Sequence, residues 1–378
     1  MAKQEIEEDP FAPRRNPELL GHADAEQRFL SSWRSGRAPH GWLITGPRGI
    51  GKATLAFRIA RFVLANGGDK PDDGPNDGPG LFGDEPVPAA DTLYVDPGNP
   101  VFRRVASAGH ADLITLERAF NPETNRLRAS IPVDSVRGAG DFMRLTAAEG
   151  GWRVVVVDSA DELNPNAANA LLKMLEEPPD RALLLLVSHA PGRLLPTIRS
   201  RCCRMPLQTL GDADVATIIA RQRPTLSEAD RVSLAALAEG SPGRALALAD
   251  EDGLTLYRDL ISLLIQLPKA DTASLHAFGD RLARRGAEES FRTTSELLAW
   301  WIARLARAGA RGEAASLPPI VSEEAGCAPR LLAAAGVDRW MQVWEKINSL
   351  ADQTDRLNLD RKQIVLNMFA ALQGAMRA

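Results

Sequence analysis

The chain has 378 residues, of which 44% are hydrophobic and 25% are charged, and its formal net charge is −4. This composition is ordinary for a globular protein with room for two or three domains, and it gives no reason to assign a fibrous or disordered class. The negative charge excludes strong autonomous binding to nucleic acid through a general positive field, although a local basic stripe could still contact phosphates.

The remaining composition indicates the compartment. The first 16 residues are acidic and polar, and no run of 18 apolar residues occurs, so the sequence predicts a cytoplasmic chain without signal peptide or membrane span. Cys202, Cys203 and Cys327 are too few for a four-ligand zinc site and indicate reduced thiols rather than a disulfide framework. We assign no chemistry to the histidines, which are His22, His40, His110, His189 and His276.

The first predicted strand, Trp42–Thr45, leads into a glycine-rich loop that ends in Lys52 and opens a helix. Such a loop turns backbone N–H groups toward phosphate oxygens, the helix N-terminus adds partial positive charge, and the lysine supplies an ammonium. Leu55, Ile59, Phe62 and Val63 recur at helical spacing and should face the sheet. The predicted nucleotide-contacting residues are Gly46, Pro47, Arg48, Gly49, Ile50, Gly51, Lys52, Ala53 and Thr54.

This loop lacks one expected metal ligand. Position 53 is Ala, where the motif has a Ser or Thr hydroxyl that binds Mg²⁺. Thr54 follows, but its side chain should point about 100° further around the helix, which makes it a poor substitute.

The sequence then predicts a doubly wound parallel sheet, because strand and helix patterns alternate up to Leu207. Residues 67–91 are rich in Gly, Pro and Asp, which predicts a mobile surface insertion. The other predicted strands are Thr92–Val95, Leu113–Leu116, Arg153–Val157 and Leu183–Val187.

The strand of four valines delivers Asp158 to its C-terminal end, where ligands bind in open α/β sheets. The next residue is Ser159, whereas hydrolytic relatives of this pattern have a glutamate that activates water, a contribution of about 10²–10⁴ in rate. Asn164 and Pro165 predict the N-cap and first turn of a helix that ends before Pro178. The sequence therefore predicts a nucleotide site without its hydrolytic base.

Beyond the sheet every strong signal is helical. The pattern predicts three domains: an α/β domain over 1–207, a small helical lid over 208–252 and a helical oligomerisation domain, or collar, over 253–378. Trp300 and Trp301 point in different directions on one predicted helix. One of them could face a partner, although a core aromatic is the commoner case.

Several segments together resemble the bacterial DNA polymerase III clamp-loader subunits of the AAA+ class, and among them the delta-prime subunits. The resemblance covers nearly the whole chain, and the helix motif ANALLKMLEEPP with the triplet Ser200-Arg201-Cys202 is its most specific part. The segments are residues 39–64, 131–142, 154–179, 194–207, 240–248 and 358–372.

The resemblance implies roles for individual residues. Lys52 and its loop match the phosphate-binding loop, Asp158 the metal-side carboxylate, and Ser188 and Arg244 two sensor positions. Arg201 matches the catalytic arginine finger, which in this family acts in trans on the neighbouring subunit's γ-phosphate, a contribution of about 10³–10⁵ in rate. The implied partners are the gamma/tau motor subunits, the delta subunit, the sliding clamp, and primer–template DNA through the assembled complex.

Two departures weigh against hydrolysis by the chain itself. Ser159 and Ala53 replace residues that the related motor subunits use, whereas Lys52 is intact, so binding of ATP or ADP with Mg²⁺ stays open. The zinc module of many loader subunits is absent because residues 64–110 contain no cysteine, so no zinc is expected.

Alternatives remain for the protein and for its residues. The chain could be an active ATPase motor of the gamma/tau type, or a scaffold with no role in hydrolysis. Arg201 could be a solvated surface residue, Arg244 could pack on its own lid, and Asp158 could only orient the loop.

Overall fold

A computed structural model describes residues 9–67, 91–121, 126–149, 151–313, 316–357 and 359–377. Most of the predicted insertion at 67–91 lies outside these residues. The chain divides into two compact units, one of residues 1–214 with 240–243 and the other of residues 215–239 with 244–378. The division into three domains remains a prediction, and each unit is described separately.

The first unit is built on a five-stranded parallel sheet, as predicted. Its strand order is β2-β5-β6-β1-β7, so β1 lies between β6 and β7 while β2 and β7 form the edges. Every residue of the central strand β6 is buried, which explains its continuous apolar sequence. The strands are β1 Gly41–Thr45, β2 Leu113–Leu116, β5 Arg153–Asp158, β6 Ala182–Ser188 and β7 Cys203–Pro206.

Helices cover this sheet, and a two-stranded antiparallel hairpin follows β2. Helix α2 begins at Lys52 and buries the predicted residues Leu55, Ile59, Phe62 and Val63. Asn164 caps α5 by accepting a hydrogen bond from the Ala167 N–H, as its sequence predicted. The elements are α1 Ala23–Arg34, α2 Lys52–Asn66, α3 Pro100–Ala106, β3 Phe120–Asn121, β4 Arg126–Leu127, α4 Val133–Arg144, α5 Pro165–Glu176 and α6 Pro196–Arg201.

One predicted strand is wrong. Residues 92–95 form no strand, although Leu93 and Val95 are buried and alternate with exposed neighbours. The Thr92 hydroxyl accepts the Tyr94 N–H locally, at 3.1 Å, and so competes with a strand ladder. The fifth strand is instead β7, which sequence reasoning missed because it is short and contains Arg204 and Pro206. Its edge position tolerates proline.

The second unit is helical. Its longest helices, α12 and α14, pack against each other, and α14 and α11 pack against α15. Trp301 is 1% exposed and therefore belongs to the core, whereas Trp300 is partly buried beside Tyr257. Helices α7 and α9 begin in the first unit. The helices are α7 Asp212–Gln222, α8 Glu228–Ala238, α9 Pro242–Asp250, α10 Gly253–Ile265, α11 Thr272–Ala283, α12 Glu288–Arg311, α13 Cys327–Ala334, α14 Val337–Leu357 and α15 Arg361–Arg377.

No helix within the described ranges is both long and apolar enough to cross a bilayer.

Candidate functional site

The glycine-rich loop joins the C-terminal end of β1 to the first turn of α2. Gly46, Gly49 and Gly51 have φ angles of 145°, 74° and 97°, which L-residues with side chains rarely adopt. A Cβ at Gly46 would also lie 2.6 Å from the Leu207 carbonyl oxygen. Glycine is therefore required here by backbone conformation and by close packing against the end of β7.

The carbonyl groups of this loop are turned toward the protein. Four consecutive carbonyl oxygens accept hydrogen bonds from groups outside the loop or from its lysine. Because a trans peptide directs its C=O and N–H in opposite directions, the N–H groups that follow these carbonyls face the other way, as an anion cradle requires. The bonds are Lys52 Nζ to Pro47 O, Ser241 Oγ to Arg48 O (2.9 Å), Gly243 N to Gly49 O (2.9 Å) and His22 Nε2 to Ile50 O (2.6 Å).

Lys52 is held at the start of α2 with only 3% of its surface exposed. Burial lowers the pKa of its ammonium to about 8, although the carboxylates of Asp158 and Asp161 act in the opposite direction. The charge is therefore poorly compensated by the protein alone. A phosphate anion would supply the missing negative charge.

Asp158 ends β5 on the same edge of the sheet. Burial, together with the nearby carboxylates of Glu117 and Glu162, raises the pKa of Asp158 to about 6, although the positive charge of Lys52 acts in the opposite direction. A carboxylate whose charge is disfavoured in this way gains from a bound cation, so Asp158 fits the chemistry of a metal-side ligand. At position 53 a methyl group stands where the motif has a hydroxyl ligand, so the metal side is incomplete.

The position that follows Asp158 contains a serine–histidine pair. Ser159 is 4% exposed, and its Oγ lies 2.8 Å from His189 Nε2. Burial, together with the positive charges of Lys52 and Arg48, lowers the pKa of His189 to about 4. At neutral pH the ring is therefore neutral. Ser159 stands at the position of the hydrolytic glutamate, and the structure places His189, to which the sequence assigned no chemistry, beside it.

Ser188, at the end of β6, is completely buried, and its hydroxyl donates to Asp161 Oδ1 at 2.7 Å. Asp161 also accepts the backbone N–H groups of His189 and Ala190. Sequence reasoning overlooked Asp161, although its place three residues after the strand-end aspartate was visible. Its carboxylate ties the turn after β5 to the turn after β6.

Two arginines hold the acidic turn next to the loop. Glu162 lies 3.4 Å from Arg48 Nη2 and 2.8 Å from Arg118 Nε. Arg48 was a predicted loop residue, whereas Glu162 and Arg118 were missed because 44 residues separate them in the chain. Their ion pairs connect the phosphate loop, β2 and the segment after β5 within one unit.

Arg201 lies at the last position of α6, and it is 37% exposed. Its Nη2 contacts Glu176 Oε1 at 2.7 Å, and its Nη1 donates to the Thr197 carbonyl at 3.2 Å. The next residue, Cys202, is buried, and burial raises the pKa of its thiol to about 12. The triplet thus has a buried anchor and an arginine at the protein surface.

Arg244 belongs to the second unit, where its Nη1 lies 4.0 Å from Glu239 Oε2. The charges of Lys52, Asp158 and Asp161 lie close enough to interact, and Ser188 joins them through its hydrogen bond to Asp161. The Arg201 carbonyl instead lies beside Gly41, at the first residue of β1, whereas the loop follows the last residue of β1. The sensor roles of Ser188 and Arg244 remain predictions.

A phosphate loop after β1, a strand-end aspartate and a parallel sheet with β1 between β6 and β7 define a P-loop nucleotide-binding module of the AAA+ class, followed by helical segments. The family described as "DNA polymerase III, delta subunit" matches residues 96–211. The DNA polymerase III subunit delta' of Escherichia coli is 30% identical over 253 residues, which cover 66% of this chain and 67% of that protein. The chain belongs to this family of delta-prime subunits, as the sequence predicted.

Three other known proteins are similar to the chain. The delta' subunit of Pseudomonas aeruginosa is 38% identical over 218 residues, which cover 57% of this chain and 58% of that relative. The DNA polymerase III subunit tau of Bacillus subtilis is 24% identical over 245 residues, or 64% of this chain and 38% of that protein. A solved gamma subunit-related protein of Thermotoga maritima is 17% identical and covers 92% of this chain and 100% of its own, with a TM-score of 0.36.

Proposed function

We propose that this chain is the stator-like delta-prime subunit of a DNA polymerase III clamp loader and helps place the sliding clamp on primed DNA. In this proposal its own nucleotide pocket binds ATP or ADP without efficient turnover. Arg201 acts in trans on the triphosphate of a neighbouring gamma/tau-type motor subunit. The delta subunit, the clamp and primer–template DNA are further proposed partners, in the cytoplasm.

The observation that carries this proposal is the contrast between the two ends of the module. In the pocket, the position after Asp158 carries a serine that bonds to a neutral His189, so this position offers no carboxylate to accept a proton from an attacking water. At the surface, the side chain of Arg201 is 37% exposed, and its guanidinium is suited to phosphate because it is planar, always charged and bidentate. These features favour help to another subunit over autonomous hydrolysis.

The residues also fit a nucleotide with its metal ion. Lys52 and the N–H groups of the loop would contact phosphates, and Asp158 would face the cation. When bound, the nucleotide would satisfy the charge of Lys52, and this is the stabilising role that the pocket supports. Ala53 and Ser159 favour a binding-only or vestigial site over the alternative of an active motor subunit.

Reconstitution with motor and delta subunits tests the role of Arg201. We expect Arg201→Ala to abolish one phase of DNA-stimulated ATP hydrolysis in a rapid-mixing experiment, because the neighbouring site should slow by about 10³. The matched control is Arg204→Ala, which removes an exposed arginine of the same segment and should leave every phase intact. Unchanged hydrolysis and clamp loading in the Arg201 variant would favour the scaffold alternative.

The isolated chain tests the idle pocket. We expect nucleotide binding without turnover at motor-like rates, and we expect the double variant Ser159→Glu, Ala53→Thr to hydrolyse ATP no more slowly than the parent. A parent chain that turns over ATP briskly by itself would support the motor alternative, since a motor needs no such repair.

A further inference from the structure

The contact between Glu176 and Arg201 joins the end of α5 to the end of α6. The carboxylate oxygen lies 2.7 Å from Nη2, and 46% of the glutamate side chain and 37% of the arginine side chain are exposed. The Thr197 carbonyl accepts from Nη1 at 3.2 Å. Both terminal nitrogens of the guanidinium are therefore held by acceptors of the chain itself.

The backbone beneath this pair is fixed by the core. Leu175, which precedes Glu176, is 2% exposed, and its carbonyl lies 3.0 Å from His40 Nε2. On the other helix, Ile198 and Cys202 are 0% and 8% exposed and belong to the same hydrophobic cluster as Leu175. The two partners thus project from neighbouring anchored helix ends, and only their side chains are free to reorient.

Glu176 has two opposite effects on a guanidinium that serves a phosphate. Its negative charge offsets part of the positive charge, but both groups are more than a third exposed, so water and salt screen this effect. Its hydrogen bond also holds one rotamer of a long side chain that would otherwise sample many. A guanidinium has five N–H donors, so after these two contacts about three remain for phosphate oxygens. Orientation therefore outweighs neutralisation.

We propose that Glu176 is a positioning residue that holds Arg201 in the orientation that a neighbouring subunit's triphosphate requires. This inference rests on the proposed function of Arg201. In the neighbour's reaction, water attacks the terminal phosphorus, its bond to the bridging oxygen breaks, and ADP and inorganic phosphate are formed with release of the water's proton. Arg201 contributes charge at the phosphate oxygens, and Glu176 acts only through Arg201.

The test measures the phase of ATP hydrolysis that Arg201→Ala abolishes in the reconstituted complex. With Glu176→Ala, the rate constant of this phase should fall about two- to fivefold, the size of effect that an exposed charge pair supports. The ATP concentration at half-maximal rate should stay unchanged, because the neighbour's own residues bind the nucleotide. Glu176→Gln retains an acceptor oxygen and should lose no more than about half of the rate.

The control is Glu177→Gln, which removes the adjacent exposed carboxylate and should leave the phase unchanged. The double variant Glu176→Ala, Arg201→Ala should be no slower than Arg201→Ala alone, because the two residues act as one unit. Should Glu176→Ala prevent assembly, Glu176→Met, which keeps the length of the side chain but has no acceptor oxygen, carries the test with the same expected loss of rate. A rate that rises or stays constant in Glu176→Ala overturns the inference. If Arg201→Ala itself leaves ATP hydrolysis unchanged, the proposed function is overturned instead.

Discussion

Asp158 in the first unit is a partly buried carboxylate and Glu324 in the second is a buried one, and their surroundings differ. The pKa of Asp158 is raised to about 6 by burial and by neighbouring carboxylates, so its charge is poorly stabilised. Glu324 is 5% exposed and accepts hydrogen bonds from four donors: Tyr257 Oη, Trp301 Nε1, Arg304 Nη1 and the Ile320 N–H.

The difference separates a structural charge from one suited to a ligand. The four donors of Glu324 replace the water that it loses on burial, and they connect α10 and α12 with the segment before α13. Burial instead disfavours the charged forms of both Asp158 and Lys52. Such a cost in folding free energy has to be offset by interactions elsewhere in the fold. A nucleotide with its cation would compensate both.

The largest expected effect is on the structural charge. Glu324→Ala should lower the free energy of unfolding of the helical unit by about 3–5 kcal/mol, because it leaves Arg304, with 12% of its side chain exposed, without its carboxylate. Urea unfolding followed by tryptophan fluorescence measures this change. The control Glu323→Ala removes the exposed neighbour and should cost about 0.5 kcal/mol or less. Equal losses of stability in the two variants would show that Glu324 is not a structural charge.

A smaller effect is expected on nucleotide affinity when Lys52 is replaced. Lys52→Ala should weaken binding of ADP or ATP about 10- to 100-fold, as expected for loss of a charge-assisted hydrogen bond to phosphate. Calorimetric titration of the purified chain measures the affinity. Lys173→Ala, which removes an exposed lysine of α5, should bind like the parent. Undiminished affinity in the Lys52 variant would show that the loop is not the nucleotide site.

The smallest effect concerns Asp158 and has a defined pH dependence. Between its ordinary pKa of 3.8 and about 6, the unfolded chain releases the proton before the folded chain does, so this group lowers stability as pH rises through that window. Asp158→Asn should therefore stabilise the nucleotide-free and magnesium-free protein by about 1–2 kcal/mol near pH 7.5.

The stabilisation in Asp158→Asn should shrink as the pH falls toward 4, which unfolding at several pH values would reveal. A variant that is less stable than the parent at pH 7.5 would show that Asp158 serves the fold in the way Glu324 does.

Residue patterns near one another in the chain predicted much of this molecule. The buried runs before Gly46 and Asp158 predicted two strands of one parallel sheet, and Asn164 predicted the start of α5. The prediction of a strand at 92–95 was wrong because alternating burial does not by itself supply a neighbouring strand to pair with. β7 was missed because four residues with a proline carry little periodic signal.

The sequence by itself determined the phosphate loop, the missing glutamate at Ser159 and the arginine of the triplet at Arg201, because each of these lies in a short contiguous motif. Only the tertiary structure decided that His189 bonds to Ser159 and that Glu176 holds Arg201. These contacts join residues about 25 to 30 positions apart, on elements that meet through the strand order of the sheet and the packing of α5 on α6. Local periodicity in the sequence cannot predict such contacts, because they depend on how separate elements pack.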